Sequence, residues 1–246
     1  MIVINKKRIK IILGCLLISL FAFSIQIAKP QNQKEKENVI ETAATPISGK
    51  TIVVDARASE SQMNGAESSN GTTEAETNLK IALKLQNLLE QSGCSVILTR
   101  SDENAIYDLD KSTLKQKKIS DIRNRVKIGN ESRADIFVSI HLNKIPQSQY
   151  WGWQCFYKDK DEQSKKLAKQ VQENLNDAIQ KENKRVAMKL NTVYIMKHVE
   201  IPITIVECGF LSNPEEEKQL LEDEYQNKLA WGIYNGITDY FYEKGD

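Results

Sequence analysis

Asp135-Ile136-Phe137-Val138-Ser139-Ile140-His141 is a nearly unbroken apolar run that ends on a histidine. A strand with one wet face alternates polar and apolar residues, whereas a strand covered on both faces reads as a continuous apolar run. This stretch is therefore read as a central strand of a covered sheet. Thr51-Ile52-Val53-Val54-Asp55 and Ile203-Thr204-Ile205-Val206-Glu207 have the same character and also end on polar residues. Shorter strands are expected over Cys94–Thr99, Gly152–Tyr157 and Thr192–Met196. Between the strands the period changes. Leu79, Ala82, Leu83, Leu85, Leu88 and Leu89 recur at spacings of three and four up to Gly93, the pattern of an amphipathic helix with a glycine stop. Further helices are predicted over Lys117–Ser132, Asp161–Ile179, and from Glu215 or Glu224 to Phe241. Strands alternating with helices predict an α/β fold: a three-layer domain with a mostly parallel, mixed sheet of about six strands flanked by helices.

The chain of 246 residues has room for one such domain and an N-terminal extension. Lys6-Lys7-Arg8-Ile9-Lys10 precedes an apolar run from Ile11 to Ile25, which reads residues 1–28 as a signal peptide or N-terminal membrane anchor. Residues 29–49 are polar and read as a disordered linker, and residues 50–243 as the functional domain. Membrane contact is expected through residues 6–28 only. Of the 34 Lys and Arg residues, five lie in residues 1–30, leaving 29 against 33 acids, so no basic stripe suggests a nucleic-acid partner. Cys94, Cys155 and Cys208 fall at irregular spacings without a Cys-x-x-Cys pair, which suggests neither a disulfide framework nor a cysteine zinc site.

Ligand sites of parallel sheets lie at the strand ends, where Asp55, His141 and Glu207 are expected to converge. His141 could be a metal ligand, an acid–base group or a structural residue. A carboxylate at the end of a buried strand, as Glu207 is, loses solvation and shifts toward the range of a general base, though it could equally cap a helix or pair with a cation. Glu74 and Glu76 open the first long helix, where the helix dipole favours acids in any case. His198 reads as a surface residue after a strand.

As a set, Thr73-Glu74-Ala75-Glu76-Thr77-Asn78-Leu79, Ser139-Ile140-His141-Leu142-Asn143 and Ile205-Val206-Glu207-Cys208-Gly209-Phe210-Leu211-Ser212-Asn213 resemble the zinc-dependent N-acetylmuramoyl-L-alanine amidases of bacterial cell walls, of the amidase 3 type. The resemblance is nearest to the spore-cortex, germination-specific branch, with Asn183-Lys184-Arg185-Val186-Ala187 as a further shared run. It implies hydrolysis of the amide between the lactyl group of muramic acid and L-alanine in peptidoglycan, on the route to muramic δ-lactam in the spore cortex and hence to germination. It further implies zinc as cofactor, a peptidoglycan glycan-peptide as partner, an accessory lipoprotein, and action outside the cytoplasmic membrane. Residue by residue, it puts Glu74 and His141 on zinc ligands and Glu207 on the catalytic carboxylate.

One ligand is missing. The family's first zinc histidine stands in Asp-Ala-Gly-His-Gly-Gly after the first strand, where this chain has Asp55-Ala56-Arg57-Ala58-Ser59-Glu60. Ala58 takes the place of the histidine and Arg57 that of the preceding glycine. Three outcomes stay open: a catalytically impaired homologue that binds peptidoglycan or a partner, a metal site completed by a surrogate such as Glu60, Glu76 or His198, and a scaffold that uses another surface. Arg57 is expected either to pair with Glu74 or Glu207, separating two carboxylates that face one cleft, or to point to solvent.

Overall fold

The structure, a computed structural model, describes residues 45–58, 68 and 71–244. The expected export segment, most of the linker, and Glu60 lie outside these residues. Six strands form one sheet: β1 (Thr51–Ala56), β2 (Ser95–Leu98), β3 (Ile136–Asn143), β4 (Gln154–Tyr157), β5 (Met188–Lys189) and β6 (Ile203–Phe210). Their order is β2-β1-β3-β6-β4-β5. All neighbours run parallel except β4 and β6, which are antiparallel. The sheet is mixed and mostly parallel, as the apolar runs predict.

Helices α1 (Glu74–Gln91), α3 (Glu162–Ile179) and α6 (Asp223–Lys244) cover one face. There Ile52, Val54, Ile136, Val138 and Ile140 share a core with Leu85, Leu167 and Ile233. Helices α2 (Leu114–Glu131) and α4 (Tyr194–His198) cover the other, where Val53, Phe137, Ile203 and Ile205 pack with Val126, Ile195 and Met196. Because strand side chains alternate, the odd-numbered residues of β1, β3 and β6 face α2 and α4. Asp55, Ser139, His141 and Glu207 therefore share that face.

Local chemistry sets the element ends. The Thr73 hydroxyl accepts from the Glu76 N–H at the start of α1, and Asp161 caps α3 through the N–H groups of Gln163 and Ser164. Gly93, at φ +84°, closes α1 with Gly93 N–H to Glu90 O and Cys94 N–H to Leu89 O, a backbone form that side-chain-bearing residues resist. A short helix α5 (Pro214–Leu221), capped by Asn213, precedes α6, so the C-terminal region is two helices rather than one. From α5, the buried carboxylate of Glu216 accepts from the N–H groups of Gly152 and Phe210, tying the approach to β4 to the end of β6.

One strand was misplaced by the sequence pattern. Thr192–Met196 runs into the helix α4, and the edge position in the sheet belongs to β5 at Met188–Lys189. Val193, Ile195 and Met196 have the composition of a strand, but a single helical turn buries Ile195 and Met196 against Val126 and Phe137, and that burial outweighs β propensity.

Candidate active site

The parallel strands β1, β3 and β6 end together, and their registers place Asp55 beside Ser139 and His141 beside Glu207. Glu74 enters from the first turn of α1, wholly buried. Its Oε1 lies 3.7 Å from His141 Nδ1, 3.5 Å from Arg57 Nη1, and 3.4 Å from both Asn78 Nδ2 and the Leu142 N–H. Arg57, Ala58, His141 and Glu207, with Lys118 and Arg125 from α2, line a cleft of about 370 Å³. A larger groove, about 570 Å³, runs between α1 and α6 around Leu88 and Trp231. It lies on the opposite face of the sheet, away from the strand-end residues, so size does not mark the site here.

His141 is held by a chain of hydrogen bonds beneath it. Asp55 is fully buried and accepts from Thr99 Oγ1 at 2.8 Å, Arg125 Nη1 at 2.9 Å and Ser139 Oγ at 2.5 Å. Arg125 Nε also lies 3.2 Å from Asp121 Oδ2, an ion pair without the alignment of a hydrogen bond. The serine has one proton and gives it to Asp55, so its contact with His141 Nε2 at 2.8 Å makes the imidazole the donor. That assigns the Nε2–H tautomer and leaves the Nδ1 lone pair on the side of Glu74. Burial, then the charges of Arg57 and Arg125, holds the His141 pKa well below the ordinary value, so the ring is neutral.

Glu207 is in the reverse situation. Burial first, and the neighbouring Glu74 carboxylate second, push its pKa up to about 8, with Arg57 opposing. Its Oε2 is buried without a hydrogen-bond partner among the described residues. At neutral pH it is a neutral carboxyl group at the cleft, a donor that becomes an acceptor about one pH unit higher.

A second clamp holds the rim. The buried guanidinium of Arg100, just past β2, donates to Ala56 O at 2.6 Å, Arg57 O at 3.0 Å, Ala75 O at 2.6 Å and Asp102 O at 2.5 Å. It fixes the end of β1 to the first turn of α1. Neither Arg100 nor the Asp55–Ser139 pair stood out in the sequence analysis as support for the site. Ser139 carried a signal, since it interrupts an apolar strand two residues before His141 and so shares its face.

The match to known proteins follows this geometry. The family model described as N-acetylmuramoyl-L-alanine amidase matches residues 52–239. This chain belongs to that amidase family. Its relatives include the germination-specific N-acetylmuramoyl-L-alanine amidase of Bacillus subtilis, 32% identical over 240 residues, 98% of this chain and 97% of the relative. The amidase LytC of the same organism is 30% identical over 80% of this chain and 36% of its own length. Among solved structures, the CwlD amidase of Clostridioides difficile, determined in complex with the GerS lipoprotein, is 41% identical, covers 80% of this chain and 100% of that one, and superposes with a TM-score of 0.76. By family, the protein is an amidase-like cell-wall hydrolase, similar to the germination-specific amidase of Bacillus subtilis.

The amidase family is characteristically zinc-dependent, and catalytic zinc takes three protein donors with a fourth place for water. This chain brings two of the expected donors together, Glu74 and His141. Ala58, buried where the third donor is expected, has only a methyl group to offer, and a guanidinium stands 3.5 Å from Glu74. Of the surrogates, Glu76 is turned outward to Lys80 at 2.7 Å, and His198 is exposed, stacked on Tyr194 at 3.8 Å and bonded through Nδ1 to Tyr194 O. Among the described residues no group of three His, Cys, Asp or Glu side chains could hold a metal. The described residues do not fit a resident catalytic zinc.

Proposed function

We propose that this protein acts outside the cytoplasmic membrane on spore-cortex peptidoglycan, taking the junction between the muramic lactyl group and L-alanine into the cleft beside Arg57, His141 and Glu207. The observation that supports this is the meeting of Glu74, His141 and Glu207, drawn from three separate family motifs, at one end of the sheet. In the family's reaction the amide at that junction is hydrolysed. Here Glu207 is the acid–base group: protonated, it donates to a carbonyl oxygen in the cleft, and deprotonated, it accepts a proton from water. Residues 1–28 direct export as a signal peptide or a membrane anchor, and a lipoprotein partner is inferred by analogy with the Clostridioides difficile relative.

A second reading, recognition of the same junction without cleavage, is favoured by the contact of Arg57 with Glu74 and by Ala58 at the place of the third donor. One experiment addresses both. The purified protein is incubated with cortex peptidoglycan, the digest is analysed by mass spectrometry for free muramoyl lactyl groups, and sedimentation measures binding. Cleavage accompanied by about one equivalent of zinc supports hydrolysis. Binding without cleavage supports the second reading, and the absence of both overturns the proposal.

A further inference from the structure

The cleft has a cation of its own. We infer that Arg57 is the resident counter-ion of the Glu74 carboxylate in place of a divalent metal, so that the cleft receives its ligand metal-free and presents a guanidinium to an acyl oxygen of a muramoyl peptide. This rests on the second reading above, recognition without cleavage.

Four observations carry it. First, Glu74 is wholly buried, and a buried carboxylate requires a charge or hydrogen-bonding partner. The donors that reach its Oε1 at 3.4–3.5 Å include Asn78 Nδ2 from α1, the Leu142 N–H from β3 and, just past β1, the guanidinium of Arg57, which brings a positive charge. Second, the position of Arg57 is built rather than incidental. Its N–H bonds Ile140 O at 3.2 Å, and its carbonyl accepts from Arg100 Nη2 at 3.0 Å and Asn78 Nδ2 at 3.3 Å. The main chain at residue 57 is thus held by β3, by Arg100 just past β2 and by α1, and its side chain lines the cleft with His141 and Glu207.

Third, the substitutions at 57 and 58 are complementary. Alanine at 58 removes a metal donor, and arginine at 57 supplies a positive charge beside the carboxylate the metal would have met. Each change alone would leave a defect: a buried acid without its cation, or a cation competing with a metal. Fourth, the Arg57 side chain is 43% exposed while Glu74 is sealed at 1%. One edge of the planar fork faces the carboxylate and the rest opens to the cleft, an arrangement suited to carboxylate and carbonyl oxygens.

The test is zinc content by elemental analysis after dialysis against zinc, measured on the full chain and on the Arg57→Gly, Ala58→His and doubly substituted proteins, with thermal unfolding and with binding of a soluble disaccharide-tripeptide. The expected result is well under one tenth of an equivalent in the unsubstituted protein and about one in the double variant, whose melting temperature alone rises with zinc. Arg57→Gly is expected to weaken muropeptide binding at least tenfold or so, with Arg57→Lys, which keeps the charge but not the fork, in between. Should Arg57→Gly not fold, Arg57→Gln provides the same comparison. A full equivalent of zinc on the unsubstituted protein overturns the inference, as does unchanged muropeptide binding in both the Gly and Gln variants. Failure of the unsubstituted protein to bind any muropeptide sinks the functional reading instead, and the zinc contents still decide whether Arg57 excludes a metal.

Discussion

At the scale of single residues, the cleft consists of buried ionisable groups whose charges are set by one another. Glu207 and His141 both sit in their neutral forms, the first shifted up and the second down by burial. The two act on stability in opposite senses. A carboxyl whose folded value is raised contributes stability that is full below the unfolded value, near 4.5, and lost as pH climbs through about 8. A histidine whose folded value is depressed contributes stability that is full above its unfolded value, near 6.5, and lost below it. Of the two, Glu207 is the one that titrates between pH 6.5 and 8, and through it the melting temperature is expected to fall by the equivalent of about 2 kcal/mol at most. In Glu207→Gln this slope disappears, which calorimetry at several pH values checks; a slope equal to that of the unsubstituted protein would refute the assignment. Sequence reading located His141, Glu74 and Glu207 and paired Arg57 with Glu74 as one of its alternatives. The hydrogen-bond chain through Asp55 and Ser139 escaped it, because the proton count that fixes a tautomer depends on which side chains meet across strands.

At the scale of elements, the strands and long helices were legible because burial on two faces, or on one helical stripe, writes a period into the chain. The short pieces were not. Met188–Lys189 is too brief to carry a period, and α4 uses strand-like residues because its packing against Phe137 decides its form. Helix contacts are similarly hidden in composition. A Cβ built on Gly236 in α6 would come within 2.4 Å of Val171 Cα and 2.7 Å of Val171 N in α3. Alanine is the better helix former by about 1 kcal/mol, yet Gly236→Ala is expected to destabilise by about 2 kcal/mol or more, since the backbone of α3 must move. Denaturant unfolding measures it, and a gain in stability would show that the two helices are not in such close contact. Arg100 links elements in the same hidden manner. Arg100→Met leaves the carbonyls of Ala56, Arg57 and Ala75 without this donor, and a loss of about 3 kcal/mol is expected, read from the same unfolding curves.

For the molecule as a whole, the domain carries three buried free cysteines, Cys94, Cys155 and Cys208. Burial, aided by Asp135, pushes the Cys94 thiol up to about 11, and burial raises Cys155 and Cys208 as well. All three are therefore expected to react with a thiol reagent only at the rate of global unfolding, in a protein whose Cys15 has been replaced by Ser. Rapid labelling of the native state would instead reveal a local opening of the sheet near β4 and β6. The clamp of Arg100 has a consequence at this scale too. It joins the chain just before residue 58 to the chain just after residue 71 through one side chain, so the flanks hold their places whatever length connects them. Each doubling of such a connection costs only about 0.6 kcal/mol in closure entropy. Relatives that differ in length between these points can therefore keep one cleft geometry.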